Sequence, residues 1–360
     1  MTSTYFNYWK TICLLALPFT MLMCHSVKAG DVIAMVSGDD LIILGTTQRD
    51  VIDIREDADG SVEIVGYEGT TINGDAVYDT NIDAFNDIAC YMSGGHDEVF
   101  IYFDFDYPGI EGLGGNFEFQ GGPGNDNLVA QLFEVLGDVD VEMNGGEDMC
   151  DFTNTVVVGN FDYAGGSNGD QGYFGYEFGT EFQPLIVLGD MTCRGGGGDD
   201  LTVYDATSVQ GTLTQGCGSG SDSFYLDQSI VGILNYSGGG SGDFAFLGSF
   251  EPCEVVGHAT IRSGGGADYV ELGISNLCLI GGDATYFGGG GRDTINIGPF
   301  AELSGVVSAT LGQGNDRLSA SEDAIIGIPG TLNGGAGIDE SIPGPAVLEA
   351  FGFTVLGFEN

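Results

Sequence analysis

The sequence predicts an all-β chain wound as a parallel β-helix, a β-solenoid of about 10–11 rungs, and three observations carry that reading. A Gly-rich turn ending in Asp recurs eleven times, at Asp97, Asp126, Asp148, Asp170, Asp199, Asp222, Asp243, Asp268, Asp293, Asp316 and Asp339. Those aspartates are separated by 29, 22, 22, 29, 23, 21, 25, 25, 23 and 23 residues. Apolar residues alternate with polar ones on both sides of each turn, the two-residue period of a strand. Behind the turn the apolar positions are Asp+2 and Asp+4, as in Val99/Ile101, Leu201/Val203, Phe224/Leu226 and Ile295/Ile297; ahead of it they are Asp−9 and Asp−7, as in Phe117/Phe119, Phe161/Tyr163 and Leu234/Tyr236. A third short strand fits between, around Leu277–Ile280 and Ala324–Ile326. Three strands and three turns in ~23 residues describe one rung, and rungs stacked at about 4.8 Å make a rod on the order of 50 Å long. A sandwich of antiparallel hairpins would alternate too, but would not keep one Asp in step with one Gly turn eleven times.

The elements follow in chain order. Residues 1–29 read as a secretory signal peptide: Lys10 precedes an apolar run from Ile12 to Met23, broken by Pro18, and Val27-Lys28-Ala29 offers a small-residue cleavage site. The run is short for a membrane span. Residues 30–93 lack the Gly turn and form an N-terminal β cap, with strands at Val32–Val36, Leu41–Leu44, Val51–Ile54 and Val62–Val65, covering the open first rung as solenoids require. Residues 94–342 are the β-helix, and residues 343–360 close the other end.

Composition narrows the function. The chain has 360 residues, 64 of them Gly, with 53 Asp plus Glu against 8 Lys plus Arg and a net charge of −45. Glycine is far above its usual ~7%, without the G-X-Y period of collagen. Hydrophobic residues at 42% supply a core, so charge-driven disorder is not expected. Nucleic acid is excluded as a partner, because phosphate binding needs clustered Lys and Arg. Beyond the signal peptide the chain carries 6 Arg, no Lys and 53 acids, a net charge of −47, so a catalytic Lys is excluded and cations are the favoured partners.

The turns quoted as GGPGNDNLV at 121–129, GGGRDTINI at 289–297 and GGAGIDESI at 334–342 resemble the calcium-binding nonapeptide repeat of RTX proteins, secreted bacterial toxins, proteases and adhesins. The resemblance covers about 245 residues and departs from the family in two respects: single copies are separated by about 14 residues instead of following in tandem, and the glycine pattern is imperfect in many copies, Asp97 and Asp148 lacking the third Gly and Asp170 lying in a blurred turn. It implies Ca²⁺ held between turns of neighbouring rungs by Asp126, Asp199, Asp222, Asp243, Asp268, Asp293, Asp316 and Asp339. The chemistry is plain: glycines bring backbone carbonyls close to a hard cation, Asp supplies charge, and calcium takes six to eight oxygens at roughly 2.3–2.6 Å. The competing reading is metal-free, with Asp capping its own turn and Gly supplying positive φ.

Six cysteines follow the signal peptide: Cys90, Cys150, Cys193, Cys217, Cys253 and Cys278. Cys253 and Cys278 both fall at Asp+10, and Cys193 and Cys217 nearly match, so each pair is either a disulfide or part of a buried thiol column. Carboxylate pairs such as Asp104/Asp106, Asp138/Asp140 and Asp199/Asp200 admit a glycoside hydrolase as the alternative function. Phe103, Phe105, Tyr107, Tyr173, Phe174 and Tyr176, in the two 29-residue rungs, are candidates for sugar contact, and no Thr column continues from Thr212/Thr214. The sequence therefore points to a secreted, calcium-binding solenoid serving as a structural, surface or adhesion module without catalytic activity. Its expected partners are calcium ions and an extracellular glycan or cell-surface component, with no membrane span after cleavage.

Overall fold

The computed structural model describes residues 30–57, 61–82, 85–103, 112–178 and 181–359. The expected signal peptide, Asp104/Asp106, Phe105 and Tyr107 lie outside these residues. The described chain is a parallel β-solenoid of about 10 turns. Each rung has a first face running into the Gly-rich corner, a second face leaving it, and a short third face that closes the turn.

Register is uniform because each face buries alternate residues, and a one-residue slip would turn every inward side chain outward. On the first face Phe117, Val139 and Phe161 stand in one column, with Phe119, Val141 and Tyr163 in the next, and all are buried. On the second face Glu98–Tyr102 pairs in parallel with Asn127–Val135, which pairs with Met149–Val157. The third face stacks Leu185–Val187 on Thr207, Ser208 and Val209, and Cys253–Val255 on Cys278–Ile280. Inside, an aromatic run passes from Phe152 to Phe161, Phe174, Tyr204, Phe224 and Tyr236 with neighbouring centroids 4.9–5.6 Å apart.

The structure alters four expectations. The solenoid starts inside the segment assigned to the cap: Asp40–Leu44 pairs in parallel with Asp87–Tyr91, and Val51–Glu56 with Glu98–Tyr102. The capping strands are the antiparallel partners Asp31–Ser37, Val62–Tyr67 and Val77–Asp79. In the rung that follows Asp200 the inward residues are Thr202 and Tyr204 and not Leu201 and Val203. Phe103 and Phe174 are core residues, which removes them from any sugar-binding surface. A hydroxyl-rich outward column does exist on the first face, through Thr192, Thr214, Asn235, Thr260, Thr285 and Ser308 in register. Its neighbour column holds Arg194, Gly216, Ser237, Arg262 and Phe287, so the hydroxyls form one rank and not a flat hydroxyl field.

Residues 343–360 contribute a short helix, Pro345–Ala350, which buries Leu348, and the strand Thr354–Leu356, which adds to the first face. All six described cysteines are buried free thiols. Cys253 and Cys278 are register partners, whereas Cys193 pairs with Gln215, two residues from Cys217.

The corners impose a sharp glycine requirement. At Gly291 φ is +127° and an added Cβ would stand 1.6 Å from the Gly266 carbonyl oxygen, while one residue earlier Gly290 has open space around that position. Gly291→Ala is expected to destabilise the fold by more than about 3 kcal/mol or to prevent folding, and Gly290→Ala to stay within about 0.5 kcal/mol of the parent. Denaturant titration of the two variants checks this; equal losses would contradict the corner geometry.

Candidate functional site: a buried aspartate column

Twelve aspartates, Asp50, Asp97, Asp126, Asp148, Asp170, Asp200, Asp222, Asp243, Asp268, Asp293, Asp316 and Asp339, stand one above another in the corner between the first and second faces. None is more than 5% exposed. Each from Asp97 onward uses Oδ1 to accept the backbone N–H of the aspartate in the preceding rung: Asp126 accepts from Asp97 at 2.8 Å, Asp148 from Asp126 at 2.7 Å, Asp243 from Asp222 at 3.0 Å and Asp339 from Asp316 at 2.9 Å. The eleven bonds lie between 2.7 and 3.1 Å. At the N-terminal end Asp50 takes the Thr46 N–H at 2.6 Å on Oδ2.

Of the eight aspartates singled out from sequence, Asp126, Asp222, Asp243, Asp268, Asp293, Asp316 and Asp339 are in this column. Asp199 is not: it is exposed, and its Oδ1 accepts the Ser221 N–H at 2.8 Å. Asp200 takes its place, accepting from Asp170 and donating to Asp222. The reason is corner length. Gly197 pairs with Ser167 on one side and Ser219 on the other, and the column aspartate comes three residues later in each rung, at 170, 200 and 222. The motif held the signal, since Gly195 through Asp200 satisfies G-G-x-G-x-D with Asp200 as its final residue. Asp97, Asp148 and Asp170 carry imperfect glycine patterns, and Asp50 has a single corner glycine, Gly45, at the Asp−5 position that Gly121, Gly195 and Gly288 occupy, with Ile52 and Ile54 repeating the Asp+2 and Asp+4 alternation.

The second carboxylate oxygen is the unusual feature. In every column member from Asp97 to Asp339, Oδ2 is buried and has no hydrogen-bond partner among the described residues. Several of these oxygens face a carbonyl across a corner glycine. An added Cβ on Gly121 would lie 2.6 Å from Asp126 Oδ2 and 2.9 Å from the Met143 carbonyl oxygen; on Gly288, 2.6 Å from Asp293 Oδ2 and 2.2 Å from the Leu311 carbonyl oxygen. Two acceptors lie close to such a point. Burial pushes the carboxyls of Asp97, Asp148, Asp200, Asp243 and Asp293 up to about 7, with like-charged neighbours in the column adding to the rise and the accepted N–H opposing it. Burial likewise raises Asp170 to about 6.

The donor set is one of hard oxygens, which suits calcium and not a soft metal. Each rung offers one uncommitted carboxylate oxygen plus backbone carbonyls. Among the described residues no three His, Cys, Asp or Glu side chains converge as a metal group, so any ion here depends on carbonyl oxygens for the rest of its shell.

Two exposed ladders use the same device. At the corner between the third and first faces, Asn116 accepts from Asp138 at 2.9 Å, Asp138 from Asn160 at 2.8 Å and Asn160 from Asp190 at 3.0 Å. His96 and His258 join such ladders, their Nδ1 atoms accepting the N–H groups of Asn125 and Asp283 at 2.9 Å each. Outside the first face Glu118, Asp140 and Asp162 stand in register, and burial together with Glu142, Glu118 and Asp162 raises Asp140 to about 6. The nearby open recess is lined by Tyr91, Ser93, Gln120, Gly122, Pro123, Asn144 and Gly145, none of them acidic. No family model, curated protein or solved structure matches the chain.

The column predicts an inverted pH dependence. A carboxyl whose pKa is raised by folding, from ~3.9 unfolded, adds stability that is complete below about pH 4 and lost as pH rises through about 7. In EDTA the melting midpoint should therefore be higher at pH 5 than at pH 8. Asp243→Asn, which keeps an acceptor for the Asp222 N–H, should narrow that difference. Asp243→Ala strands the amide and should cost about 1–3 kcal/mol at either pH. A midpoint that rises from pH 5 to pH 8 in EDTA would refute the assignment.

Proposed function

We propose that the chain is an exported, non-catalytic rod, a structural, surface or adhesion module, and that calcium compensates its aspartate spine at neutral pH. The observation that carries the calcium reading is the line of eleven buried carboxylate oxygens without partners. A buried anion of this kind calls for a proton or a cation. The exposed ladder supports the choice of a cation. There Asn and Asp alternate, Asn116, Asp138, Asn160, Asp190, so an amide serves the rung-to-rung bond as well as a carboxylate does. None of the twelve positions of the buried column is Asn. A position that needed only an acceptor would not be restricted to the residue with the largest burial cost.

Asp126, Asp200, Asp222, Asp243, Asp268, Asp293, Asp316 and Asp339 would hold the ions through Oδ2, with Asp200 replacing Asp199. The ion would supply charge compensation; the chain itself supplies the frame and excludes water. The rod reading draws support from the shape of the fold, twelve parallel second-face strands stacked in register, and from the net charge of −45, which favours cationic partners and keeps copies apart in solution.

Thermal melts of residues 30–360 at pH 7.5 in EDTA, in millimolar Mg²⁺ and in millimolar Ca²⁺ test the proposal. A ligand bound only by the folded state adds about RT ln(1 + [L]/Kd) per site, so several occupied rungs should raise the midpoint far more in Ca²⁺ than in Mg²⁺. The calcium increment should shrink at pH 5, where protons take the same oxygens. Superimposable melts in all three solutions would remove calcium from the account.

A further inference from the structure

On the outside of the second face a compact aromatic cluster spans three consecutive rungs. Tyr225 and Phe246 are register partners with rings stacked at 4.9 Å and 14°. Phe244 lies parallel to Phe246 at 6.2 Å and 5°, and Tyr269 closes the group at 5.9 Å from Phe246. Phe244 is 43% exposed. The fifth ring, Phe250, is 71% exposed and sits 6.0 Å from Tyr225.

Phe250 is held there by a built loop. The buried Asp227 Oδ1 accepts three successive backbone N–H groups, from Ser249 at 2.8 Å, Phe250 at 3.0 Å and Glu251 at 3.3 Å. Asn276 Nδ2 donates to the Phe250 carbonyl from the next rung. Three amides on one carboxylate fix a corner whose most prominent side chain is left in solvent. The clamp satisfies the buried Asp227 carboxylate and at the same time holds the exposed ring in a fixed place.

The surroundings select the partner. Glu251 follows Phe250 in the clamped loop, and Glu271 stands in register beside Phe246. No Arg lies on the second face in the three rungs that carry the cluster, and the protein as a whole bears −45. A second copy and anionic polymers are therefore repelled. Long basic side chains have the complementary form: apolar stems that cover aromatic carbon and charged heads that reach carboxylates or lie over a ring.

We propose that the Tyr225–Phe244–Phe246–Phe250–Tyr269 cluster, rimmed by Glu251 and Glu271, is a docking site for an arginine-rich polypeptide segment. This gives the adhesion reading a partner class and rests on that part of it; it does not depend on calcium.

The test is titration calorimetry of residues 30–360 with a dodecapeptide of alternating Arg and Gly, in EDTA and again in millimolar Ca²⁺. Phe250→Ala and Glu251→Gln should each weaken binding by about tenfold. Glu147→Gln, an exposed acid at a distant corner, should change it less than twofold, and melts should be unchanged for all three. Equal affinities for parent and Phe250→Ala would mean diffuse attraction to an acidic rod and overturn the site. Phe250-dependent binding of a neutral oligosaccharide such as cellohexaose, or Phe250-dependent dimers in sedimentation, would overturn the choice of partner. Calcium-insensitive melts alongside Phe250-dependent peptide binding would remove the metal and leave the docking site standing.

Discussion

The hydrogen bond from each column aspartate's N–H to the carboxylate of the aspartate in the next rung is the constraint on which the rest of the structure depends. Every member between Asp97 and Asp316 is both donor and acceptor in this chain, so the corner cannot lengthen or slip in one rung without breaking a bond above and a bond below. With the corner fixed at three residues after the last paired strand position, inward and outward residues on the second face are fixed as well. The same close stacking explains the glycines. At Gly124, Gly220, Gly291 and Gly314 an added Cβ would lie 1.4–1.7 Å from the carbonyl oxygen of the rung below, a spacing that leaves no room for any side chain.

That economy carries an electrostatic cost. Each rung adds a carboxylate about 4.8 Å from the last, and the dry corner screens the pair poorly. The exposed corner relieves the same geometry by alternating Asn with Asp and by access to water. The buried column has neither relief, and its Oδ2 atoms from Asp97 to Asp339 have no hydrogen-bond partner among the described residues. Stability is thereby tied to whatever positive species occupies the corner. Protons serve at low pH, and the proposed calcium ions serve at neutral pH. Both variables belong to the medium, which makes the column a point at which the medium can act on the fold.

Much of the architecture was legible in the sequence because a solenoid writes its period into the chain. The two-residue alternation gave the inward residues Phe117, Phe119, Phe161, Tyr163, Phe224 and Leu226, all buried. Seven of the eight chosen aspartates fell in one column. The errors arose where the local signal was degenerate. Four glycines followed by two aspartates at 195–200 allow two alignments, and only pairing with the neighbouring rungs decides between them. Asp50 follows Gly-Thr-Thr-Gln-Arg, a corner with a single glycine, Gly45, at the Asp−5 position, so the local mark of a first rung is faint. The aromatic cluster was invisible because Tyr225, Phe244, Phe246 and Tyr269 sit at outward positions of strands that are separated by more than 20 residues, and Phe250 becomes conspicuous only through its clamp on Asp227.

Site-resolved amide hydrogen exchange of residues 30–360 tests the central claim most directly, because the bond that defines the column is an amide bond. The N–H groups of Asp97, Asp126, Asp148, Asp170, Asp200, Asp222, Asp243, Asp268, Asp293 and Asp316 should form one slow class, exchanging only through opening of the rod. The Asp199 amide should not belong to it. Exchange of the column amides as fast as that of freely exposed corner amides would contradict the ladder, and with it the account of how the rungs are held in register.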